Sequence, residues 1–259
     1  MSELYASQGG PRAIFSSKVA DYQVARPDYP PALFEAFQVF CPPKPGAWMV
    51  EVGAGTGLFT RGLLDHGYQV VAVEPNRRMR EAAEGQLGGR ADCRIVEGQA
   101  EEIPMATGSV EWIAAAQAFH WFEMERARAE FLRVLSPQGL VVLVWNDRVI
   151  TDELHMALDD LFGRFGGAAR GVVLAHEDRS AVPVFFGAAR PYQFVWPHAQ
   201  DLDEGRFLSL VFSRSYMPDR ETAEGRDASA WAREIFRKFE SGGKVSIRYQ
   251  TVAIIGRPQ

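Results

Sequence analysis

The chain has 259 residues, of which 47% are hydrophobic and 24% charged, and its formal net charge is −5. This composition is typical of a globular protein and excludes collagen-like, coiled-coil and disordered chains. The acidic balance disfavours nucleic acid as a partner. The sequence shows neither an apolar run of membrane-spanning length nor a secretory signal, and its two cysteines are too few for a disulfide framework. We therefore expect a cytoplasmic protein with no membrane partner.

The first 45 residues predict a helical element that precedes the main fold. They contain a polar lead, the proline-punctuated segment RPDYPP and a short predicted helix, PALFEAFQVF. From Trp48 to Asn146, short apolar runs alternate with amphipathic stretches of helical length. The predicted strands are 48–52, 69–74, 93–98, 110–117 and 140–145.

These strands belong to one parallel sheet in our interpretation. Most are apolar on both faces, as strands covered by helices on both sides are. Ala127, Phe131 and Leu135 mark an intervening helix that ends at the Ser, Pro and Gly of 136–139. The alternation of β and α units predicts a doubly wound α/β fold with right-handed crossovers.

The pattern after residue 146 is less regular. Helices are expected around 152–165 and 207–213, and Asp227 is predicted to cap a third helix that ends at the glycines 242 and 243. A last strand is expected near 245–255. The predicted organisation is an N-terminal lid (1–45), an α/β core (46–148) and a C-terminal part (149–259), all within a single domain.

The segment VEVGAGTGLF is the strongest functional signal. Glycines at 53, 55 and 57 allow positive φ and close approach of a ligand to the backbone. The helix that begins at Leu58 directs its N-terminal N–H groups at this turn, as nucleotide-binding elements do. A dinucleotide-binding turn, G-x-G-x-x-G, requires its third glycine at position 58. Glu51, two residues before the first glycine, disfavours a pyrophosphate and favours a ligand that carries an ammonium or sulfonium.

The pattern E-x-G-x-G-x-G resembles motif I of the class I S-adenosylmethionine-dependent methyltransferases. The resemblance covers about residues 48–146 and is to the methyltransferase type 11 proteins. DYQVARPDYP and FHWF add a similarity to trans-aconitate methyltransferase-like proteins. The resemblance implies a Rossmann-like, seven-stranded, doubly wound sheet with an N-terminal helical lid and C-terminal helical insertions. It also implies S-adenosylmethionine as cofactor and an acceptor pocket formed by the C-terminal part.

The resemblance also assigns roles to individual residues. Glu74 would accept hydrogen bonds from the ribose hydroxyls, Met79 would pack against adenine, and Gln99 stands where the family often has an acidic residue. Tyr22 and Arg26 would close over the methionine end, although a surface loop is the alternative for both and helix packing the alternative for Met79. The predicted cofactor-binding set is Tyr22, Arg26, Glu51, Gly53, Ala54, Gly55, Gly57, Glu74, Pro75, Met79, Gln99, Ala100 and Gln117.

His120 is the candidate catalytic residue, because imidazole titrates in the range that a general base needs. The alternative, which we favour, is that His120 only shapes the cleft. A carboxylate acceptor needs no base. The other histidines lack ligand spacing, so no metal site is predicted.

The sequence favours methyl transfer to a small molecule, more at oxygen (carboxylate or hydroxyl) than at nitrogen or carbon. The Asn-Pro-Pro-aromatic signature that the resemblance would link to base or glutamine methylation does not follow the fourth strand. A regulatory or scaffold protein that binds S-adenosylmethionine without turnover is the alternative. An NAD(P)-dependent oxidoreductase is disfavoured by the glycine spacing. The acceptor and the oligomeric state stay open.

Overall fold

A computed structural model of the chain describes residues 18–177 and 179–259. The first 17 residues of the predicted N-terminal element therefore lie outside the described residues. In the sheet, the strands are β1 (Trp48–Val52), β2 (Gln69–Val73), β3 (Cys93–Val96), β4 (Val110–Ala116), β5 (Leu135–Arg148), β6 (Tyr192–Leu202) and β7 (Val245–Gly256). The helices are α1 (Val19–Ala25), α2 (Pro31–Phe40), α3 (Leu58–Asp65), α4 (Arg77–Leu87), α5 (Met124–Val134), α6 (Glu153–Glu177), α7 (Ala181–Phe186), α8 (Glu204–Phe212) and α9 (Ala223–Phe239).

The seven strands form one mixed sheet in the order β3-β2-β1-β4-β5-β7-β6. β1 pairs in parallel with β2 on one side and with β4 on the other. The chain thus leaves β1 in one direction and later returns to its other side. In open α/β sheets, ligands bind outside the carboxyl ends of the strands at such a switch point, here the ends of β1 and β4.

Helices cover both faces of the sheet, as the doubly wound prediction requires. Successive residues of a strand point to opposite faces, and Val50 packs in one core cluster with Phe131 of α5 and Phe185 of α7. Met49 packs in a second cluster with Phe37 of α2 and with residues of α3. The predicted fold class is confirmed.

The described residues separate into two compact units. The sheet unit comprises 28–146, 179–196 and 251–259, and the helical unit comprises 18–27, 147–177 and 197–250. The helical unit has an apolar core of its own, to which Phe162, Phe207, Phe236 and Tyr249 contribute. The grouping of the chain into a single domain stays a prediction.

The predicted cap of the last helix is wrong. α9 begins at Ala223, and Thr222 caps it, since its Oγ1 accepts a hydrogen bond from Gly225 N at 3.0 Å. Asp227 is therefore an exposed residue inside the helix. The helix also ends at Phe239, before the two glycines, which lie in the turn that leads to β7.

Other boundaries differ for local reasons. Leu135, predicted to be helical, pairs with Val110 at the start of β5, before a register shift. α6 consists of two helical stretches separated by a break at Gly167 (φ 50°, ψ −142°), so the first stretch ends close to the predicted residue 165 and the second, which was not predicted, ends at Glu177. The edge strand β6 was not predicted, because it contains Pro197 and has little buried apolar surface.

Candidate functional site

The three glycines after β1 all have positive φ, +73°, +58° and +84° at Gly53, Gly55 and Gly57, but for different reasons. A Cβ on Gly53 would lie 2.5 Å from the Ala118 Cβ, and one on Gly57 would lie 2.7 Å from Leu87 Cδ1. A Cβ on Gly55 would meet no atom within 4 Å. Gly53 and Gly57 thus allow close packing within the protein, whereas Gly55 borders open space.

Glu74, which follows β2, links the glycine turn to the start of α4 through its two carboxylate oxygens. Oε2 accepts a hydrogen bond from Gly55 N at 2.9 Å, and Oε1 accepts one from Asn76 N at 2.8 Å. Each carboxylate oxygen has a second lone pair, so Glu74 can also accept the hydroxyls of a ribose. Asn76 caps α4, since its Oδ1 accepts a hydrogen bond from Met79 N. Our sequence reasoning missed Asn76, although an asparagine just before a helix is a capping signal.

Glu51, at the end of β1, is 1% exposed and accepts a hydrogen bond from Thr60 Oγ1 at 2.5 Å. Burial raises the pKa of Glu51 to about 8; the hydrogen bond from Thr60 opposes this shift, and the negative charge of Glu74 adds to it. Near neutral pH, Glu51 is therefore mostly protonated. A cation beside it would favour the ionised form. Thr60 is a second residue that sequence reasoning missed.

The segment that follows β4 borders the glycine turn. Its first residue, Gln117, has a positive φ of 56°, a conformation that is uncommon outside glycine and is often retained at functional sites. Gln117 Nε2 donates to Asn146 O at 3.2 Å, and Ala118 is the residue that faces Gly53. His120 follows in a short 3₁₀ helix, Phe119–Trp121, half-buried, with its ring centroid 5.0 Å from that of Trp121.

Several other predicted residues lie around the same strand ends. Ala54 N donates to Val73 O at 3.2 Å, and Pro75 O accepts from Arg80 Nη1 at 3.0 Å. The segment after β3 approaches the end of β2, since a Cβ on Gly98 would lie 2.8 Å from Val73 Cγ1. Within that segment Gln99 is half-buried, whereas Ala100 belongs to the apolar core.

Tyr22 and Arg26 belong to the helical unit. The Arg26 guanidinium carbon lies 4.5 Å from the centroid of the Tyr22 ring. Their closure over the methionine end of a cofactor stays a prediction, as does the packing of Met79, which is buried on α4, against adenine.

Within residues 18–177 and 179–259, no three His, Cys, Asp or Glu side chains are grouped so that they could hold a metal ion. No helix within those ranges is both long and apolar enough to cross a membrane.

The geometry defines a class of site. A glycine turn at the switch point, a carboxylate that follows β2 and a buried carboxyl in β1 are the elements expected of a nucleoside site for a cationic ligand. The open space at Gly55 lets such a ligand approach the backbone.

Comparisons with known proteins agree with this class. The sequence profile of a family described as "Methyltransferase domain" matches residues 50–143. The chain is 34% identical over 202 residues to an uncharacterized methyltransferase of Mycobacterium tuberculosis, and the alignment covers 78% of this chain and 76% of the relative. It is 30% identical over 241 residues to an uncharacterized methyltransferase-like protein of Schizosaccharomyces pombe, covering 92% and 93%. The chain belongs to the methyltransferase family.

Solved structures show the same fold. A proposed type II methyltransferase from Anaeromyxobacter dehalogenans superposes with a TM-score of 0.65 at 22% identity, covering 90% of this chain and 99% of that one. The YcgJ protein of Bacillus subtilis has a TM-score of 0.54 at 19% identity, covering 87% and 97%. The chain is thus a methyltransferase with a Rossmann-like fold.

Proposed function

We propose that this methyltransferase transfers the methyl group of S-adenosylmethionine to an oxygen atom, a carboxylate or a hydroxyl, of a small-molecule acceptor. The observation that carries the proposal is the contact between the glycine turn and the segment after β4. Ala118 lies so close to Gly53 that an added Cβ would overlap it, and His120 is two residues further on. His120 therefore lies on the segment that borders the glycine turn.

In methyl transfer, the main task of the protein is to position the cofactor and the acceptor. When bound, S-adenosylmethionine supplies a methyl group that its sulfonium already activates. Glu74 would hold the ribose and the Gly55 backbone would border the methionine part, while Glu51 in its ionised form would balance the ligand's positive charge. The protein then aligns the acceptor oxygen with the methyl carbon, so that the new C–O bond forms as the C–S bond breaks.

Two roles are open to His120, that of a general base and that of a residue that shapes the cleft. A hydroxyl acceptor would give its proton to the imidazole, whereas a carboxylate or phenolate is already nucleophilic near neutral pH. We infer that His120 shapes the cleft. His120→Ala should then weaken acceptor binding and leave the pH dependence of the single-turnover rate as in the native chain. A rate loss of about 10²–10⁴-fold together with a vanished ionisation would identify a general base instead.

Tritium transfer from methyl-labelled S-adenosylmethionine to separate pools of carboxylic acids, phenols and amines tests the proposal. Products from the carboxylic acids should lose their label as methanol in mild alkali, because methyl esters hydrolyse there and ethers and N-methyl groups do not. Label in amines alone would refute transfer to oxygen. Tight binding of S-adenosylmethionine with no product in any pool would support a binding protein without turnover, and tight binding of NADH would support an oxidoreductase.

A further inference from the structure

A cluster of arginines surrounds one aromatic residue in the helical unit. Two guanidinium groups lie over the ring of Phe162 in α6: the central carbon of Arg148 is 4.8 Å from the ring centroid, and that of Arg214 is 5.7 Å from it. Arg148 ends β5, and Arg214 follows α8. Two cations thus share a single ring.

The carboxylate of Asp159 accepts hydrogen bonds from two arginines of this region. Asp159 Oδ1 accepts a hydrogen bond from Arg170 Nη2 at 2.6 Å and a longer one from Arg148 Nη2 at 3.4 Å. One carboxylate therefore faces the guanidinium groups of Arg148 and Arg170. The pKa of Arg148 is lowered, mainly by burial and next by the like charge of Arg214. Among the described residues, the Asp159 carboxylate is thus shared by Arg148 and Arg170.

Tyr249 of β7 belongs to the same apolar cluster as Phe162. The backbone N–H of Val149 donates to Arg248 O at 3.0 Å, so the residues that follow Arg148 lie alongside those that precede Tyr249. Burial raises the pKa of the Tyr249 hydroxyl, and the positive charges of Arg214, Arg148 and Arg26 oppose that shift. The phenol is thus within the electrostatic reach of three arginines.

Two donors of this cluster are buried and have no acceptor among the described residues. Tyr249 is 1% exposed, and the Arg148 side chain is 11% exposed. Among the described residues, neither the Tyr249 hydroxyl nor Arg148 Nη1 has a hydrogen-bond partner. Buried polar groups are nearly always satisfied, and an exception calls for an explanation such as a bound ion. Arginine forks and a hydroxyl are the donors that bind carboxylate and phosphate oxygens.

We propose that Arg148, Arg214 and Tyr249 form a binding site for an oxyanion, a carboxylate or phosphate group carried by a small ligand other than the cofactor. Arg148 and Arg214 supply the charge and forked N–H groups, and Tyr249 supplies one further O–H donor. Arg214 is only half-buried, which gives the site a side open to solvent. The site lies in the helical unit and stands independently of the proposed transfer to oxygen.

Two substitutions test the site with little disturbance to the fold. Tyr249→Phe removes one hydroxyl that has no hydrogen-bond partner in the described part of the chain, so the thermal midpoint should stay the same or rise. Arg214→Gln removes one charge from a half-buried position. Tyr192→Phe is the matched control for the first, since Tyr192 is 69% exposed, and Arg237→Gln on the exposed surface of α9 is the control for the second.

Calorimetric titrations with succinate, citrate and inorganic phosphate give the readout, with S-adenosylhomocysteine as a second ligand. We expect saturable one-to-one binding of at least one of the three anions to the native chain. Tyr249→Phe and Arg214→Gln should weaken it about tenfold or more, as expected for hydrogen bonds to a charged group. Both controls should bind the anion within twofold of the native chain, and all variants should bind S-adenosylhomocysteine normally.

Three results would overturn the inference. The first is the lack of saturable binding of all three anions to the native chain. The second is equal anion affinity in the native chain, Tyr249→Phe and Arg214→Gln. The third is a tenfold loss of S-adenosylhomocysteine affinity in Tyr249→Phe, because the oxyanion would then be the methionine carboxylate of the cofactor and not a separate ligand.

Discussion

Replacing Gly55 by alanine distinguishes an effect on ligand binding from an effect on the packing of the protein. At φ +58° an L-residue costs roughly 1–2 kcal/mol, and the added Cβ meets no protein atom within 4 Å. Backbone strain is therefore the whole expected penalty to the fold. For a chain of this size, about 1 kcal/mol lowers the thermal midpoint by about 2–4 °C, so we expect a loss of about 2–8 °C.

The effect of Gly55→Ala on the ligand should be larger than its effect on the fold. The new methyl group occupies space beside the turn, and overpacking of this kind costs about 1–3 kcal/mol. That cost corresponds to roughly 5- to 150-fold weaker binding of S-adenosylhomocysteine. Calorimetric titration of the purified variant measures this loss, and a thermal melt measures the loss of stability.

Two other glycines serve as controls. Gly108 also has a positive φ (+67°) and open space around a Cβ, but it precedes β4 and so lies at the opposite end of that strand from the site. Gly108→Ala should show a similar loss of stability and normal ligand affinity. Gly53→Ala should unfold at a lower temperature than either, because its Cβ would overlap Ala118. If Gly55→Ala and Gly108→Ala bind S-adenosylhomocysteine within twofold of each other, the assignment of the turn to the ligand is refuted.

The remaining predictions address the two carboxyl groups and the helix cap. Glu74→Ala should weaken S-adenosylmethionine and S-adenosylhomocysteine alike, by about 1.5–3 kcal/mol or roughly ten- to a hundredfold, and normal calorimetric affinities would place the ribose elsewhere. With a pKa of about 8, Glu51 is about nine-tenths protonated at pH 7 and about one-tenth protonated at pH 9. A cationic ligand that ionises Glu51 should therefore release nearly one proton per bound ligand at pH 7 and only about a tenth of a proton at pH 9. Calorimetry in buffers of different ionisation enthalpy measures this release, which Glu51→Gln should abolish. Thr222→Ala should destabilise the chain by about 1 kcal/mol in thermal melts and Asp227→Ala by less than about 0.5 kcal/mol; the reverse order would contradict the observed cap.

The sheet was the most predictable part of the fold. β1 was predicted at 48–52 and lies there, because apolar residues on both faces and turn residues on both sides leave little freedom. The last helix was misjudged at its start because Thr222 and Asp227 are both good capping residues. Only the hydrogen bond from Gly225 N distinguishes them.

The site was predictable where a pattern is local and hidden where partners are distant in the sequence. The glycine turn and Glu74 were recognisable, but the bond between Gly55 N and Glu74 Oε2 joins residues that are 19 positions apart. The positive φ of Gln117 has no signature in the sequence. Arg148 and Arg214 were not singled out at all, since only the fold brings both of them over Phe162.

Net charge explains why the arginine cluster was overlooked. The overall value of −5 argues against polyanions, but it averages over two compact units with opposite local chemistry. In the sheet unit, Glu51 and Glu74 are both nearly fully buried and suit a cationic ligand. In the helical unit, Arg148 and Arg170 share the single carboxylate of Asp159, and Arg214 adds a further positive charge. A single net charge conceals this difference between the two units.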